Sequence, residues 1–279
     1  MKDTSKGNLL VILAFLIFGL MGVLARFISA SPLLLLYSFQ VVGLITFSLI
    51  LLKNRKFSTG GMFKLIVVMT AFNLISDFSF FSAVKMTSIS NAVFIKFTAP
   101  IFVLIIAPLL IKEKSERRNW LAIPVALVGL FLIIYQNNLV FDANFNGILF
   151  AILTAVTVAF SWTLIKKILK SLDVYSTLFY RFLISTTVLT PILFLEAPAI
   201  SFDILLQLLL FGILFITIGT TIHMQGIKRI PIQRAGIFGY LEPLSASVYA
   251  IFVFSEIPTL FTLTGGALIL LSSYLVIRN

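Results

Sequence analysis

The chain predicts an all-α integral membrane protein, with ten transmembrane helices arranged as two inverted five-helix repeats. Three observations lead there. Of its 279 residues 60% are apolar and only 11% charged, with a mean hydropathy of +1.12; in a soluble domain about a quarter are charged. The apolar residues fall in unbroken runs of about 20, the length that carries a helix across a hydrocarbon core of about 30 Å. The second half of the chain also repeats landmarks of the first at a nearly fixed offset.

The runs are 8–28, 33–52, 63–84, 91–111, 120–135, 145–165, 174–195, 204–225, 235–255 and 260–277. They are continuously apolar and do not alternate, which selects helices over a β-barrel. The links between them are short and leave no room for an extramembrane domain. Lys2 and Lys6 precede the first run. That run is longer than the apolar core of a cleaved signal peptide, so a retained first span is expected.

The formal net charge of +11 would suggest nucleic acid in a soluble protein. Here the basic residues sit between apolar runs, and no basic arm or zinc-finger spacing accompanies them, so no nucleic-acid partner is expected. With the N-terminus inside, the inner segments hold Lys2, Lys6, Lys53, Arg55, Lys56, Lys64, Lys112, Lys114, Arg117, Arg118, Lys166, Lys167, Lys170, Lys228, Arg229, Arg234 and Arg278. The outer ends hold Arg26 and Lys85 alone. The positive-inside rule therefore predicts a cell (inner, cytoplasmic) membrane protein with both termini cytoplasmic.

No cysteine is present, which excludes disulfides, thiol catalysis and cysteine-ligated metals. His223 is the single histidine, so neither a metal nor a cofactor is expected. The chain has no GxxxxGK phosphate loop, so ATP does not drive it directly. It also lacks the GxSxG and HExxH arrangements of a membrane-embedded hydrolase.

Sliding the chain by 143 residues brings Lys85 onto Lys228, Ile89 onto Ile232, Ala92 onto Ala235, Pro100 onto Pro243, Glu113 onto Glu256 and Leu127 onto Leu270. Near the start of each half the shift is slightly smaller: Gly7 meets Gly147 and Gln40 meets Arg181. The repeats are placed at 1–138 and 143–279. Each holds five spans, an odd number, so they must point opposite ways. The loops agree: basic KNRKFSTGGMFK has the acidic partner EAPAISFD, and KEKSERR has SEIPT. Inverted repeats of this kind let one scaffold adopt inward-open and outward-open states around a site near the midplane.

AVKMTSISNAVFIKFTAPIFVLIIAPLLIKEK and its partner GIKRIPIQRAGIFGYLEPLSASVYAIFVFSE resemble the EamA-type pattern of the drug/metabolite transporter superfamily. The shared features are Ala83 or Gly226 before the loop, the loop lysine, Ala92 or Ala235, Pro100 or Pro243, and the closing Glu113 or Glu256. DVYSTLFYRF resembles the start of the second span of a repeat, with Arg181 at the usual arginine; Gln40 is a departure at the matching place, and Phe18-Gly19 replaces the usual Trp-Gly. The resemblance covers nearly the whole chain. It implies ten helices, a central cavity and export of amino acids, other metabolites or drugs.

Ionisable residues inside a membrane are costly and usually face the bundle interior. Lys96 sits about seven residues, roughly 10 Å, inside the outer end of span four. Asp77 sits at a similar depth in span three, so the two could pair. The lysine would then bind a substrate carboxylate or belong to an ion pair that opens during transport; the alternatives are a fixed structural pair or snorkelling to the surface. Glu242, before Pro243 in mid-span nine, is the candidate for proton coupling, against a carboxylate neutralised by a hydrogen bond at the proline. Pro100 and Pro243 are candidate helix breaks and hinges, or static kinks. Arg181 reads as an anchor for an anionic group or, with more weight, as a structural hydrogen-bonding residue. His223 reads as a proton relay or an interfacial histidine with a satisfied partner. Asn73 and Gln40 read as interhelical glue. Tyr240, Trp162 and Phe97 lie on spans expected to face the cavity.

The leading expectation is a secondary transporter, an exporter of small organic metabolites such as amino acids, working by alternating access with optional proton coupling. An organic-cation or multidrug exporter is the alternative; a membrane enzyme or channel is disfavoured. The partners are a small-molecule substrate and the lipid bilayer, with monomer and homodimer both open.

Overall fold

The computed structural model describes residues 2–25, 27–28, 30–54, 57–87, 89–135, 145–196, 201–254 and 259–277. Every regular element among them is helical. In chain order these are α1 (Lys2–Ala25), α2 (Pro32–Asn54), α3 (Phe63–Met86), α4 (Ile89–Lys96), α5 (Ala99–Ile111), α6 (Arg117–Tyr135), α7 (Phe145–Ile168), α8 (Val174–Glu196) and α9 (Phe202–Gly212). A π-helical segment, Ile213–Gly219, then leads to α10 (Thr220–Ile227), α11 (Ile232–Phe238), α12 (Leu241–Phe254) and α13 (Leu260–Ile277). The ten expected spans are all present as helix, three of them in pieces: α4 with α5, α9 through α10, and α11 with α12. Eight are long and apolar enough to cross a membrane by themselves. The other two, α6 and α8, carry the basic pair Arg117-Arg118 and the interior Arg181.

Polar side chains set the helix starts. Ser31 accepts from Leu34 N–H at 3.2 Å, just before the Pro32 that opens α2. Asp173 accepts from the N–H groups of Tyr175 and Ser176 at 2.9 and 3.0 Å, opening α8. Ser201 accepts from Ile204 N–H and opens α9. Each satisfies a donor that the first turn of a helix leaves free. Lys112 closes α5 in the left-handed region, at φ 56°.

The packing maps onto itself when the two halves are exchanged. α1 packs on α10, α11 and α12, while its counterpart α7 packs on α3, α4 and α5. α2 packs on α8, and α6 on α13, each pair being its own image. The detail repeats as well. A β-carbon at Gly7 would lie 2.6 and 2.7 Å from Ile230 and Arg229 side-chain atoms, and one at Gly147 would lie 3.0 to 3.1 Å from Met86 and Thr87 atoms. Arg229 and Ile230 are the 143-residue images of Met86 and Thr87. The join between the halves, 136–144, lies outside the described residues, as do Arg26, Arg55, Lys56, Glu256 and Arg278.

Lipid supplies no hydrophobic drive between helices, so close approach at small residues carries much of the association. A β-carbon at Gly129 would sit 2.6 Å from the Gly265 carbonyl oxygen, and one at Gly265 would sit 2.5 Å from that of Gly129. α6 and α13 therefore cross backbone to backbone. α1 meets α12 at Gly19, where a β-carbon would fall 1.9 Å from Ser245 Oγ.

The end of the bundle that carries the basic residues is tied by polar bonds. Glu113 Oε1 accepts from Ile232 N–H at 2.6 Å and so caps α11. Gln233 Nε2 donates to the Glu113 carbonyl at 3.1 Å and accepts at Oε1 from Asn119 Nδ2 at 3.0 Å. The buried Lys166 ammonium donates to the carbonyls of Ile227, Ile230 and Lys228 at 2.6, 2.7 and 3.3 Å, closing the C-terminal end of α10. Arg229 reaches back to Asp3 at 3.0 Å.

Candidate functional site

Spans four and nine are broken near their middles. α4 ends at Lys96 and α5 begins at Ala99; α11 ends at Phe238 and α12 begins at Leu241. Both prolines lie in the first turn of the second piece, where a missing N–H costs nothing. The breaks therefore precede Pro100 and Pro243, and tight three-residue hydrogen bonds carry the chain through them. Thr98 N–H donates to Ile95 O at 2.9 Å, Tyr240 N–H to Ile237 O at 3.2 Å, and Glu242 N–H to Gly239 O at 3.1 Å. That last bond serves the carbonyl to which Pro243 cannot donate.

The two breaks face each other. Phe97 and Tyr240, 143 residues apart and so images of one another, have ring centroids 6.2 Å apart at 32°. The Tyr240 side chain is fully buried, and its hydroxyl has no hydrogen-bond partner among the described residues. Lys96 immediately precedes Phe97 at one break, and Glu242 opens the helix after the other.

The interior charges stay apart. Only two ion pairs occur among the described residues, Arg118–Glu116 and Arg229–Asp3. Lys96 and Asp77, expected as a possible pair, form none. The charges of Arg181 and Lys96 nevertheless act on Asp77, and that of Lys96 acts on Glu242. All four side chains are half-buried, with part of their surface open. The Lys96 ammonium rests over the Phe80 ring, 4.8 Å from its centroid, and 5.8 Å from that of Phe97. Arg181 lies 5.3 Å from the Phe182 centroid and keeps a buried Nε without a partner.

His223 departs from one of its two sequence readings, that of an interfacial histidine with a satisfied partner. It is buried and makes no hydrogen bond to the described residues. Its ring stands edge-on to Phe15 at 4.9 Å, Phe18 at 5.7 Å and Trp162 at 6.3 Å. Trp162 in turn covers the second break: β-carbons at Gly236 and Gly239 would lie 3.7 and 3.6 Å from it. Asn73 departs too, for its amide donates to Met69 O, 3.0 Å away on the same helix. Gln40 is buried with Oε1 unpartnered.

Three participants were not singled out in the sequence: Phe80, Phe15 and the π-helical segment. The 143-residue register could have signalled Phe80, because its image is His223. Nothing in ILFITIG marks a π-helix, which Thr220 N–H bonding to Phe215 O closes.

A ten-span bundle with two facing helix breaks and a few charged side chains set among apolar and aromatic ones defines a multi-pass membrane protein. The chain belongs to the EamA-like transporter family, whose model matches residues 5–135 and 145–278, and it is a membrane transporter. An uncharacterized transporter of Archaeoglobus fulgidus is 25% identical over 95% of this chain and 93% of its own length. An S-adenosylmethionine uptake transporter of Rickettsia prowazekii is 24% identical over 68% of this chain and 64% of its own length. One solved crystal structure superposes with a TM-score of 0.85 at 17% identity, covering 98% of this chain and 96% of that one, which shows a shared fold.

Proposed function

We propose that the protein is a secondary transporter that moves small zwitterionic metabolites of amino-acid type across the cytoplasmic membrane by alternating access. The observation that carries the reading is the facing pair of helix breaks, with Lys96 at one and Glu242 at the other and no ion pair between them. A solute bearing both a carboxylate and an ammonium group would meet complementary charges there. Residues 1–138 and 143–279 act as the two rocking units, and the basic end of the bundle is cytoplasmic. The direction is export, and Glu242 and Asp77 are the candidate proton carriers.

The Rickettsia relatives are named for a metabolite that carries a carboxylate, an ammonium and a sulfonium centre, which suits the same four charges. A second reading, export of organic cations, draws support from the two carboxylates and the nearby aromatic rings. Purified protein in proteoliposomes distinguishes these readings. Saturable counterflow of amino acids supports the first, counterflow of amines lacking a carboxylate supports the second, and ohmic current without counterflow refutes both. Uptake rather than export under a physiological proton gradient reverses the assigned direction.

A further inference from the structure

We propose that Phe80 is a positioning residue that holds the Lys96 ammonium, which forms no ion pair with the described residues, in place to receive the anionic group of the substrate. The inference rests on the zwitterion reading above and deepens it. A lysine inside a membrane must be neutralised, snorkel or be solvated by something else. Among the described residues, Lys96 has no carboxylate within ion-pair distance. Its Nζ instead stands 4.8 Å from the Phe80 centroid and 5.8 Å from that of Phe97, within the ~6 Å range of a cation–π contact. A ring stabilises the cation without cancelling its charge, whereas a paired carboxylate would compete with the substrate for it.

The repeat shows that this contact is an asymmetric addition to a symmetric frame. Moved by 143 residues, Phe80 becomes His223 and Lys96 becomes Gly239. In the second half the glycine packs beside Phe15 and Trp162, which lie 3.5 and 3.6 Å from where its β-carbon would be. His223 packs against the same two rings. An aromatic or imidazole ring on span three or eight thus lies near the break on span four or nine in both halves. Only in the first half does that ring carry a cation. Phe80 sits one helical turn from Asp77, so the same stretch of α3 presents a ring to Lys96 and a carboxylate to the neighbouring interior.

The test compares each amino acid with its decarboxylated amine: L-leucine with isoamylamine, L-tryptophan with tryptamine, and S-adenosylmethionine with its decarboxylated form. KM and kcat are measured in proteoliposomes for wild type, Phe80→Leu, Phe80→Tyr and Lys96→Gln. Phe80→Leu is expected to raise KM about tenfold for the carboxylate-bearing member and to leave its amine within about twofold, while Phe80→Tyr, which keeps the ring, restores wild-type KM. Lys96→Gln should remove the preference for the carboxylate altogether. A purely structural Phe80 would lower kcat for both members alike and so overturn the proposal. Wild-type preference that is lost in Lys96→Gln but kept in Phe80→Leu overturns the role of Phe80 alone. A wild type that transports neither member of any pair, or does not distinguish them, overturns the zwitterion reading beneath it.

Discussion

Phe97 and Tyr240 occupy the same place in the two halves of the chain, and their rings meet 6.2 Å apart where the broken helices face each other. One of the pair carries a hydroxyl and the other does not. That hydroxyl is fully enclosed and unpartnered, a condition that costs about 1–3 kcal/mol. Tyr240→Phe removes the unpaired group and keeps the ring contact. Thermal unfolding in detergent should show the variant more stable than wild type by about 1 kcal/mol or more. Tyr240→Ala should lose about 3–5 kcal/mol through the cavity it leaves.

Glu242 opens α12 without a counter-ion in contact. If it carries the coupled proton, Glu242→Gln abolishes the pH dependence of transport. Uptake and counterflow measured across a range of external pH check this; an unchanged profile removes Glu242 from coupling and leaves Asp77 to be tested as Asp77→Asn.

Lys166 gives its ammonium to three backbone carbonyls at the end of α10. Shortening it to Ala strands those carbonyls in a buried place, and charge-assisted bonds of this kind are worth about 1.5–3 kcal/mol. Lys166→Ala should lower the unfolding temperature by several degrees. Lys167→Ala, one residue on and exposed, should not.

Gly129 and Gly265 cross at backbone contact. Neither a carbonyl oxygen nor the helix behind it can yield to a methyl group at 2.5–2.6 Å. Gly265→Ala should therefore destabilise the α6–α13 pair by about 1–3 kcal/mol, visible as loss of monodisperse protein on size exclusion. Gly266, whose nearest neighbour is the flexible end of Leu244, should accept alanine with less effect.

The absence of native cysteine makes orientation directly readable. Lys114→Cys and Asp203→Cys each place one exposed thiol at opposite ends of the bundle. An impermeant maleimide should label position 203 in intact cells and position 114 only after permeabilisation.

Hydropathy made the spans legible, because a bilayer forces each into a helix whatever its sequence. The proline register made the repeat and its two breaks legible. The rotation of each helix was not. Spans apolar on every face do not say which side a residue occupies, so Asn73 was read as bridging helices when it bonds its own. The same ambiguity hid the enclosure of His223 by Phe15, Phe18 and Trp162. Lys166 looked like any other inner-end lysine because the sequence does not show that three carbonyls converge on it. Phe80 was hidden among 29 phenylalanines.

The π-helical turn at Ile213–Gly219 has no twin: its image, residues 70–76, is ordinary α-helix within α3. Widening a turn by one residue swings everything beyond it by about 100° around the helix axis. A carrier whose halves trade conformations between its two states would hand that extra residue across, tightening 213–219 as 70–76 widens. Thr220 follows the wide turn here, and Asp77 would follow it there. One half-cycle would then rotate a carboxylate on one side of the molecule as it rotates a hydroxyl on the other.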